Sequence, residues 1–325
     1  MSGDIRIVAE IGLLIYPGAQ LAAVYGLTDL FRIAGEWAAP LGGGLKPVVR
    51  VTHWSGEASD RIDCVWDSHP GTPHQLSHII APPSIIMPDK MASMRMPSAW
   101  LLEQHRAGAT ICSICAGAFV VAETGLMNGR RATTHWAFAN ALADRFPEVE
   151  VAMERMVIDD GDLMTAGGIL AWADLGLTLV GKLMGPATML ATARFLLIDP
   201  PGRVQSAFAQ FNPRFDHGDD AVLRAQHHLH ATGAQAHDLA NLLAISGLEQ
   251  RTFLRRFKKA TTLRPTEYAQ QVRIAMARQQ LEATRQPVEQ IAWQVGYADP
   301  AAFRKVFQRI TGIGPNAYRD RFGIA

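Results

Sequence analysis

The stretch ATICSICAGAFVVAETG, residues 109–125, runs from a short apolar segment into a cysteine that is followed by small residues. Residues 110–114 have the length and composition of a buried strand, and helical spacing begins at Gly117. In an open parallel sheet, a residue on such a tight strand-to-helix turn faces the crevice in which ligands bind. Cys115 is therefore the first candidate functional residue of the chain.

Segments of strand length and segments of helical spacing alternate over the first two hundred residues. Strands are predicted at 5–15, 47–53, 76–81 and 110–114, and helices at 21–33, 98–106, 169–183, 186–197 and from 117 onward. An Asp-Gly turn between the apolar runs 156–158 and 163–165 indicates a hairpin. Buried strands that alternate with helices predict an α/β fold, with a parallel sheet and helices on both of its faces.

At 325 residues the chain is longer than one core usually supports, and the loop-like stretch 201–219 predicts a linker between two domains, 1–200 and 220–325. Hydrophobic residues make up 48% and charged residues 19%, and no apolar run reaches the ~20 residues of a membrane-spanning helix. The first residues do not resemble a signal peptide, and three cysteines cannot all pair within the chain. We expect a cytoplasmic protein without a membrane span.

The net charge of +1 hides an uneven distribution of charge along the chain. Residues 245–325 hold 14 Lys plus Arg and 6 Asp plus Glu, a net charge of +8, which leaves −7 for residues 1–244. A basic end on an acidic body favours contact with a polyanion such as nucleic acid, although basic helices are also often solvated faces.

The chemistry open to Cys115 depends on its neighbours. Unpaired N–H groups at the start of the following helix would lower the pKa of the thiol and favour a thiolate nucleophile. Catalysis also needs a base within hydrogen-bond reach, and His135 is the nearest candidate in sequence. Three roles stay open at this point: a nucleophile, the wall of a small-molecule pocket, or a structural relic.

Residues 4–197 resemble the ThiJ/PfpI type of the class I glutamine amidotransferase-like superfamily. The stretches that carry the resemblance are GLLIYPGAQ (12–20), CAGAFVVAETGLMNGRRATTHW (115–136), FPEVEV (146–151) and VIDDGDLMTAGG (157–168). The resemblance implies a flavodoxin-like sandwich with a pocket at the cysteine elbow. By that resemblance the ligand pocket is lined by Cys115, Ala116, His135, Pro17 and Gly18.

Two departures from the family pattern bear on catalysis. Protease-like members carry a histidine directly after the cysteine, where this chain has Ala116, and many catalytic members carry an acidic residue in the first helix, where it has Ala23. Without these partners Cys115 has no evident proton acceptor. We therefore expect a small-molecule pocket with no catalytic residue and no cofactor. A cysteine-dependent hydrolase, hydratase or amidase is the alternative.

One pattern occurs twice near the end of the chain. Phe253 and Phe257 precede Pro265-Thr-Glu-Tyr268 by seven residues, and the same interval separates Phe303 and Phe307 from Pro315-Asn-Ala-Tyr318. A shorter helical stretch followed by glycine comes before each phenylalanine pair, at 238–246 and 288–295. A helix, a glycine-bearing turn and a second helix, repeated, predict two helix-turn-helix units.

The later helix of each unit separates its phenylalanines from its cations. On a helical wheel each phenylalanine pair occupies one side, and the opposite sides carry Arg251, Arg255, Lys258, Lys305 and Arg309. Because these stripes lack acidic residues after the first turn, DNA contact is favoured over a solvated face. Residues 265–284 fit one connecting helix of about 30 Å, close to one turn of B-DNA, so that both later helices can enter successive major grooves.

Residues 220–323 resemble the AraC/XylS family of transcriptional regulators. The resemblance is carried by RTFLRRF (251–257), IAWQVGY (291–297), DPAAF (299–303) and GPNAYR (314–319). It implies that side chains of both later helices contact base edges and phosphates. The base-reading positions are Arg251, Leu254, Arg255, Ala301, Arg304 and Lys305, and the phosphate contacts are Lys258, Lys259 and Arg309.

Together the two resemblances cover nearly the whole chain, in the order seen in GlxA-type regulators. They predict a sequence-specific transcriptional activator that is controlled by a small metabolite in the first domain. The expected partners are double-stranded DNA, a nitrogenous effector, RNA polymerase and a second copy of the chain. No metal site is expected around the five histidines of residues 217–237, because they lack a cysteine partner and also lack a His-x3-His pair with a carboxylate as third ligand. These histidines are His217, His227, His228, His230 and His237.

Overall fold

In the computed structural model, which describes residues 5–40, 44–56, 60–235 and 238–324, the chain divides into two units. The first unit is Met1–Gln205 and the second is Ser206–Ala325. No helix in the described ranges is both long enough and apolar enough to cross a bilayer.

A seven-stranded sheet forms the centre of the first unit. The strands of this unit are β1 (Ile5–Ile15), β2 (Lys46–Ser55), β3 (Asp63–Asp67), β4 (His78–Ala81), β5 (Thr110–Ile114), β6 (Arg131–Ala132), β7 (Glu150–Val151), β8 (Val157–Asp159) and β9 (Leu163–Ala166). The sheet has the order β3-β2-β1-β4-β5-β9-β8, and β6 pairs separately with β7. The five inner strands run parallel, whereas β3 and β8 are antiparallel edges.

Two groups of helices pack on this sheet. The helices are α1 (Leu21–Trp37), α2 (Arg95–Arg106), α3 (Gly117–Ala122), α4 (Ala139–Arg145), α5 (Trp172–Met184) and α6 (Pro186–Leu196). Helices α1, α5 and α6 contact one another, while α2 and α3 contact each other and β5. Residues 9–14 of β1 are buried without interruption, which requires cover on both faces of the sheet. The predicted α/β fold with a mainly parallel sheet is confirmed.

The edge strand β3 is absent from the sequence prediction. Its residues DCVWD are half-buried or exposed, and two of the five are charged. An edge strand of this kind has no continuous apolar run, so its assignment depends on pairing with β2. The hairpin at the Asp-Gly turn is confirmed, since β8 and β9 pair across it.

The second unit consists of helices. They are α7 (Asp220–Ala231), α8 (Leu239–Ser246), α9 (Gln250–Thr261), α10 (Pro265–Ala283), α11 (Val288–Gln294), α12 (Pro300–Thr311) and α13 (Pro315–Phe322). Helices α8 and α9 form the first helix-turn-helix, and α11 and α12 form the second. The helix α10, which connects them, has 19 residues and a length of about 28 Å.

Each helix-turn-helix has its own hydrophobic core, and α10 contributes to both. Tyr268, Ala269 and Val272 lie in the first core, whereas the next turns of α10 supply Ile274, Ala277 and Leu281 to the second. The single helix α10 therefore packs against both helix-turn-helix motifs. The sequence prediction of a single connecting helix with an apolar stripe is confirmed.

The repeated aromatic residues adopt the same geometry in both cores. The rings of Phe253 and Phe257 are 5.4 Å apart, and those of Phe303 and Phe307 are 5.6 Å apart. Tyr268 meets the first pair edge-on at 5.5 Å from Phe257, and Tyr318 meets the second at 5.4 Å from Phe307. All four phenylalanines are fully buried. The sequence repeat is thus a repeat of one packing arrangement.

The two later helices begin differently. Asp299 caps α12, because its carboxylate accepts hydrogen bonds from the N–H groups of Ala301 at 2.8 Å and Ala302 at 3.2 Å. Glu249 precedes α9 and makes no side-chain cap. The N-terminus of α12 is therefore fixed by a side chain, whereas that of α9 depends on packing.

Replacing Asp299 with alanine should destabilise the start of α12 by about 1 kcal/mol, because two N–H groups lose their acceptor. Hydrogen exchange of the α12 amides, measured by mass spectrometry on the full chain, should accelerate accordingly. Glu249→Ala is the matched control and should change exchange in α9 by less than about 0.5 kcal/mol. Equal effects of the two substitutions would contradict the difference in capping.

A buried cysteine elbow and two cationic helices

The turn at Cys115 has the backbone of a nucleophile elbow. Cys115 adopts a left-handed conformation with φ of 54°, which costs a residue other than glycine about 1–3 kcal/mol. Its N–H donates to the carbonyl of Ala166 at 2.8 Å, and this bond ties the turn to β9. A Cβ atom on Gly117 would lie 2.4 Å from the oxygen of Ala81, so only glycine fits at that position. The sharp turn predicted from the small residues is confirmed.

The sulfur of Cys115 is enclosed and neutral. The residue is 2% exposed, and burial raises the pKa of its thiol to about 11. The N–H groups of Ala116 and Gly168 point to the sulfur and lower the pKa, but they offset only part of the effect of burial. The expectation that the helix N-terminus favours a thiolate is therefore wrong for this enclosed sulfur, because desolvation outweighs the two N–H groups.

Tyr16 is a neighbour of Cys115 that the sequence prediction missed. Its hydroxyl donates to the carbonyl of Pro82 at 2.5 Å. Burial raises the pKa of Tyr16 strongly, and the charge of a Cys115 thiolate would raise it further. Ala23, at the position of the missing carboxylate, is fully buried on α1. Tyr16 thus places a neutral phenol near the sulfur, and Ala23 has no acidic group. The sequence feature that points to Tyr16 is its position directly before Pro17-Gly18, two residues of the predicted pocket.

The other predicted pocket residues differ in exposure. Ala116 is fully buried, His135 and Gly18 are half-buried, and Pro17 is exposed. Burial lowers the pKa of His135, and its Nδ1 accepts a hydrogen bond from Ala137 N–H at 3.1 Å. The residue that reaches the elbow is its neighbour Thr134, whose hydroxyl donates to the Cys115 carbonyl at 2.7 Å.

A cavity of about 690 Å³ lies elsewhere in the first unit, on α2, α3 and α4. Glu123 and Arg145 form an ion pair in its wall at 2.5 Å, and Arg145 also lies over the ring of Phe146. None of its lining residues belongs to the predicted pocket.

The remaining cysteines and several of the histidines are buried or hydrogen-bonded within the protein. Cys112 is fully buried, Cys64 is half-buried, and both are free. No cluster of three metal-binding side chains occurs among the residues that the structure describes. His217 and His230 bond to Gln226 and the Tyr268 hydroxyl at 2.7 and 2.9 Å, respectively. His237 lies outside the described residues.

The outer face of α9 is cationic. Phe253 and Phe257 are buried, and the predicted DNA-contacting residues of this helix are exposed: Arg251, Leu254, Arg255, Lys258 and Lys259. None of these four cations forms a hydrogen bond or ion pair with any residue in the described ranges. Arg256, on the flank of the same helix, is held by Asp219 at 2.6 Å. The unpaired cations of α9 are therefore those that face outward.

The outer face of α12 is more constrained. Its predicted residues Ala301, Arg304, Lys305 and Arg309 are all exposed. Arg304 forms an ion pair with Glu289 of α11, and Arg309 donates to the side-chain oxygen of Gln270 at 2.5 Å. Lys305 alone of these three cations has no partner in the described part of the chain. This difference between the two helices was not predicted.

Comparisons with known proteins match different families to the first and the second unit. A helix-turn-helix domain model matches residues 242–321, and the DJ-1/PfpI family model matches residues 77–182. The HTH-type transcriptional regulator GlxA of Rhizobium meliloti is 25% identical, and the match covers 99% of this chain and 99% of that protein. The HTH-type transcriptional regulator CdhR of Pseudomonas aeruginosa is 26% identical, over 68% of this chain and 66% of its own.

Two further similarities cover only part of the chain. Isonitrile hydratase of Pseudomonas putida is 40% identical, but over only 24% of this chain and 33% of the enzyme. An AraC family transcriptional regulator of Pseudomonas putida of known structure aligns with a TM-score of 0.46 at 14% identity, over 58% of this chain and 99% of that one. The relatives matched along both domains are regulators, and the match to an enzyme is partial.

The raised pKa of the Cys115 thiol predicts low reactivity at neutral pH. At pH 8 a thiol of pKa about 11 is ionised in about one molecule in a thousand, and this fraction grows as the pH rises toward the pKa. Iodoacetamide at pH 8, followed by mass spectrometry, should label the half-buried Cys64 well before Cys115. Preferential labelling of Cys115 below pH 8 would contradict this and would favour a catalytic cysteine.

Proposed function

We propose that this chain is a transcriptional regulator in which a DJ-1/PfpI-type domain precedes an AraC-type helix-turn-helix domain, and that it recognises a specific DNA sequence through α9 and α12; the matches to both domain models and to a regulator along the whole chain support this. We further propose that a small metabolite bound by the first unit controls this recognition and that the outcome is activation. The observation that carries the proposal is the face of α9, where buried phenylalanines leave four unpaired cations outward.

The proposed contacts follow from side-chain chemistry. Arg251 and Arg255 can each donate two hydrogen bonds to guanine O6 and N7 in the major groove, and Lys258 and Lys259 suit phosphate oxygens. Leu254 offers an apolar contact, for example to a thymine methyl group. On α12 the corresponding base contacts are Ala301, Arg304 and Lys305, with Arg309 on a phosphate.

The two reading helices differ in the cost of engaging DNA. The cations of α9 are free to bind, whereas Arg304 and Arg309 must leave Glu289 and Gln270. Exposed ion pairs of this type contribute little stability, so exchanging these partners for DNA costs a small amount of free energy that α9 does not have to spend. We therefore assign the larger share of base recognition to α9.

Arg255→Ala should weaken specific binding by about 1–3 kcal/mol and relax the preference for one base, because a bidentate contact is lost. Lys259→Ala should weaken binding to all sequences alike and reduce the salt dependence. Fluorescence titrations of the full chain with a duplex selected in vitro and with single-base variants of it measure both effects. Arg145→Ala, in the first unit, is the control and should leave DNA affinity unchanged. If the two α9 variants behave identically, the assignment of roles fails.

The sensing role is supported by the order of the domains and by the build of the elbow. A ligand bound in the first unit can change DNA binding only if it binds two conformational states of the protein with unequal affinity. Two N–H groups point to one enclosed sulfur, and a half-buried histidine follows Thr134. We propose Cys115, Ala116, His135, Pro17 and Gly18 as the effector pocket, a nitrogenous metabolite as the effector, and RNA polymerase and a second copy of the chain as further partners.

A thermal-shift screen of nitrogenous metabolites on the full chain should find a compound that raises the melting temperature, because a ligand of the folded state stabilises it. Cys115→Ala should reduce the shift without changing the unliganded fold. Arg145→Ala should leave the shift intact. If Arg145→Ala abolishes the shift and Cys115→Ala does not, the effector binds in the cavity beside Glu123 and the assignment to the elbow is wrong.

A further inference from the structure

Gln205, the last residue of the first unit, is deeply buried although it lies in a segment without helix or strand. It is 2% exposed, and its side-chain amide donates to the Thr133 hydroxyl at 2.7 Å and the Thr134 carbonyl at 3.1 Å. A Cβ atom on Gly167 would lie 2.5 Å from the amide nitrogen of Gln205, so this glycine provides the space for the amide. The segment leaves the first unit through a site built to hold it.

The residues that hold Gln205 also hold the cysteine elbow. Thr134 receives the Gln205 amide on its carbonyl and donates its own hydroxyl to the Cys115 carbonyl at 2.7 Å. On the other side, Gly168 directs its N–H to the Cys115 sulfur and directly follows Gly167. Gln205 and Cys115 thus share both Thr134 and the Gly167–Gly168 turn.

The next residue, Ser206, is held by the second unit. Its hydroxyl donates to the carbonyl of Thr311 at 3.2 Å, and its carbonyl accepts from the Arg278 guanidinium at 2.8 Å. Thr311 is the last residue of α12, and Arg278 lies on α10. Arg278 also donates to the carbonyl of Ala209. Gln205 is therefore held by residues of the first unit, and Ser206 is held by residues of the second.

Both anchors contain a polar atom without a partner. Gln205 Oε1 and Arg278 Nε are buried, and neither makes a hydrogen bond to another residue of the described ranges. A buried polar atom without a partner costs free energy that an alternative arrangement can recover. Each anchor thus has one polar atom that a shifted arrangement can provide with a partner, and this offsets part of the cost of a shift.

We propose that Gln205 is a positioning residue that transmits the state of the elbow to the DNA-binding unit, an inference that rests on the proposed sensing function. A ligand that displaces Thr134 or the Gly167–Gly168 turn displaces the Gln205 amide. The peptide bond carries the displacement to Ser206, and from there it reaches the C-terminus of α12 and the connecting helix α10. A free linker would absorb the same displacement.

The test uses the reciprocity of coupling, since DNA that binds α9 and α12 must act back on the elbow by the same free energy. Hydrogen exchange of peptides that cover residues 131–136 and 164–170 is measured on the full chain, with and without a saturating duplex selected in vitro. In the unchanged protein the duplex should alter exchange at the elbow by about fivefold or more. In Gln205→Leu, which keeps the size but removes the amide, this response should disappear while the variant still binds the duplex, with an affinity that changes by no more than the lost coupling factor.

Two further variants control the experiment. Gln210→Ala removes an exposed glutamine from the same segment and should keep the full response. Thr133→Val removes one acceptor of the Gln205 amide with little change of shape, so it should reduce the response, and it replaces Gln205→Leu should that variant fail to fold. A general loss of stability would raise exchange with and without the duplex and would leave their ratio intact.

Each outcome decides the proposal. Loss of the response in Gln205→Leu with a normal response in Gln210→Ala supports it. A normal response in both Gln205→Leu and Thr133→Val overturns the proposal about Gln205 and leaves the sensing function standing. If the unchanged protein shows no response to the duplex at the elbow, the sensing function proposed for this site fails as well.

Discussion

The DNA-binding unit depends on one packing arrangement, two phenylalanines of a reading helix closed by a tyrosine that meets them edge-on. Full burial of each ring contributes roughly 1.5–3 kcal/mol, and the arrangement occurs twice with ring distances that agree closely. Because the phenylalanines face inward, the cations four residues apart on the other side must face outward. Since α10 supplies residues to both cores, the same packing that exposes the cations also sets the spacing of the two helices.

The first unit keeps the backbone of a catalytic elbow in surroundings that oppose catalysis. Strain at Cys115, the glycine at position 117 and two N–H groups directed to the sulfur are present. A nucleophile also needs an exposed thiolate and a base, and here the thiol is enclosed, its pKa is raised, and its described neighbour Tyr16 has a pKa that is raised as well. A strained turn whose sulfur is enclosed and neutral is poorly suited to catalysis. A ligand that binds there can still change the backbone of the turn, and this property fits a regulator better than an enzyme.

Hydrogen bonds of a few side chains relate the elbow to the chain that leaves the first unit. Thr134 is central, since it bonds to Cys115 through its hydroxyl and to Gln205 through its carbonyl. In the second unit Arg278 has the comparable role, with donors to the carbonyls of Ser206 and Ala209. Within the segment that the sequence suggests as a linker, residues 205–209 therefore make specific polar contacts, first with residues of the first unit and then with Arg278 of the second.

The sequence by itself determined the features that repeat over a few residues. Apolar runs specified the inner strands, the small residues after Cys115 specified the turn, and the phenylalanine repeat specified two helix-turn-helix units, because the period of burial is encoded locally. Only the tertiary structure decided the state of each functional group. The pKa of Cys115 depends on the atoms that enclose it, Arg304 meets Glu289 across 15 positions of the chain, and Gln205 meets Thr133 across 72. Desolvation and pairing of this kind arise from residues far apart in sequence, so no local pattern contains them.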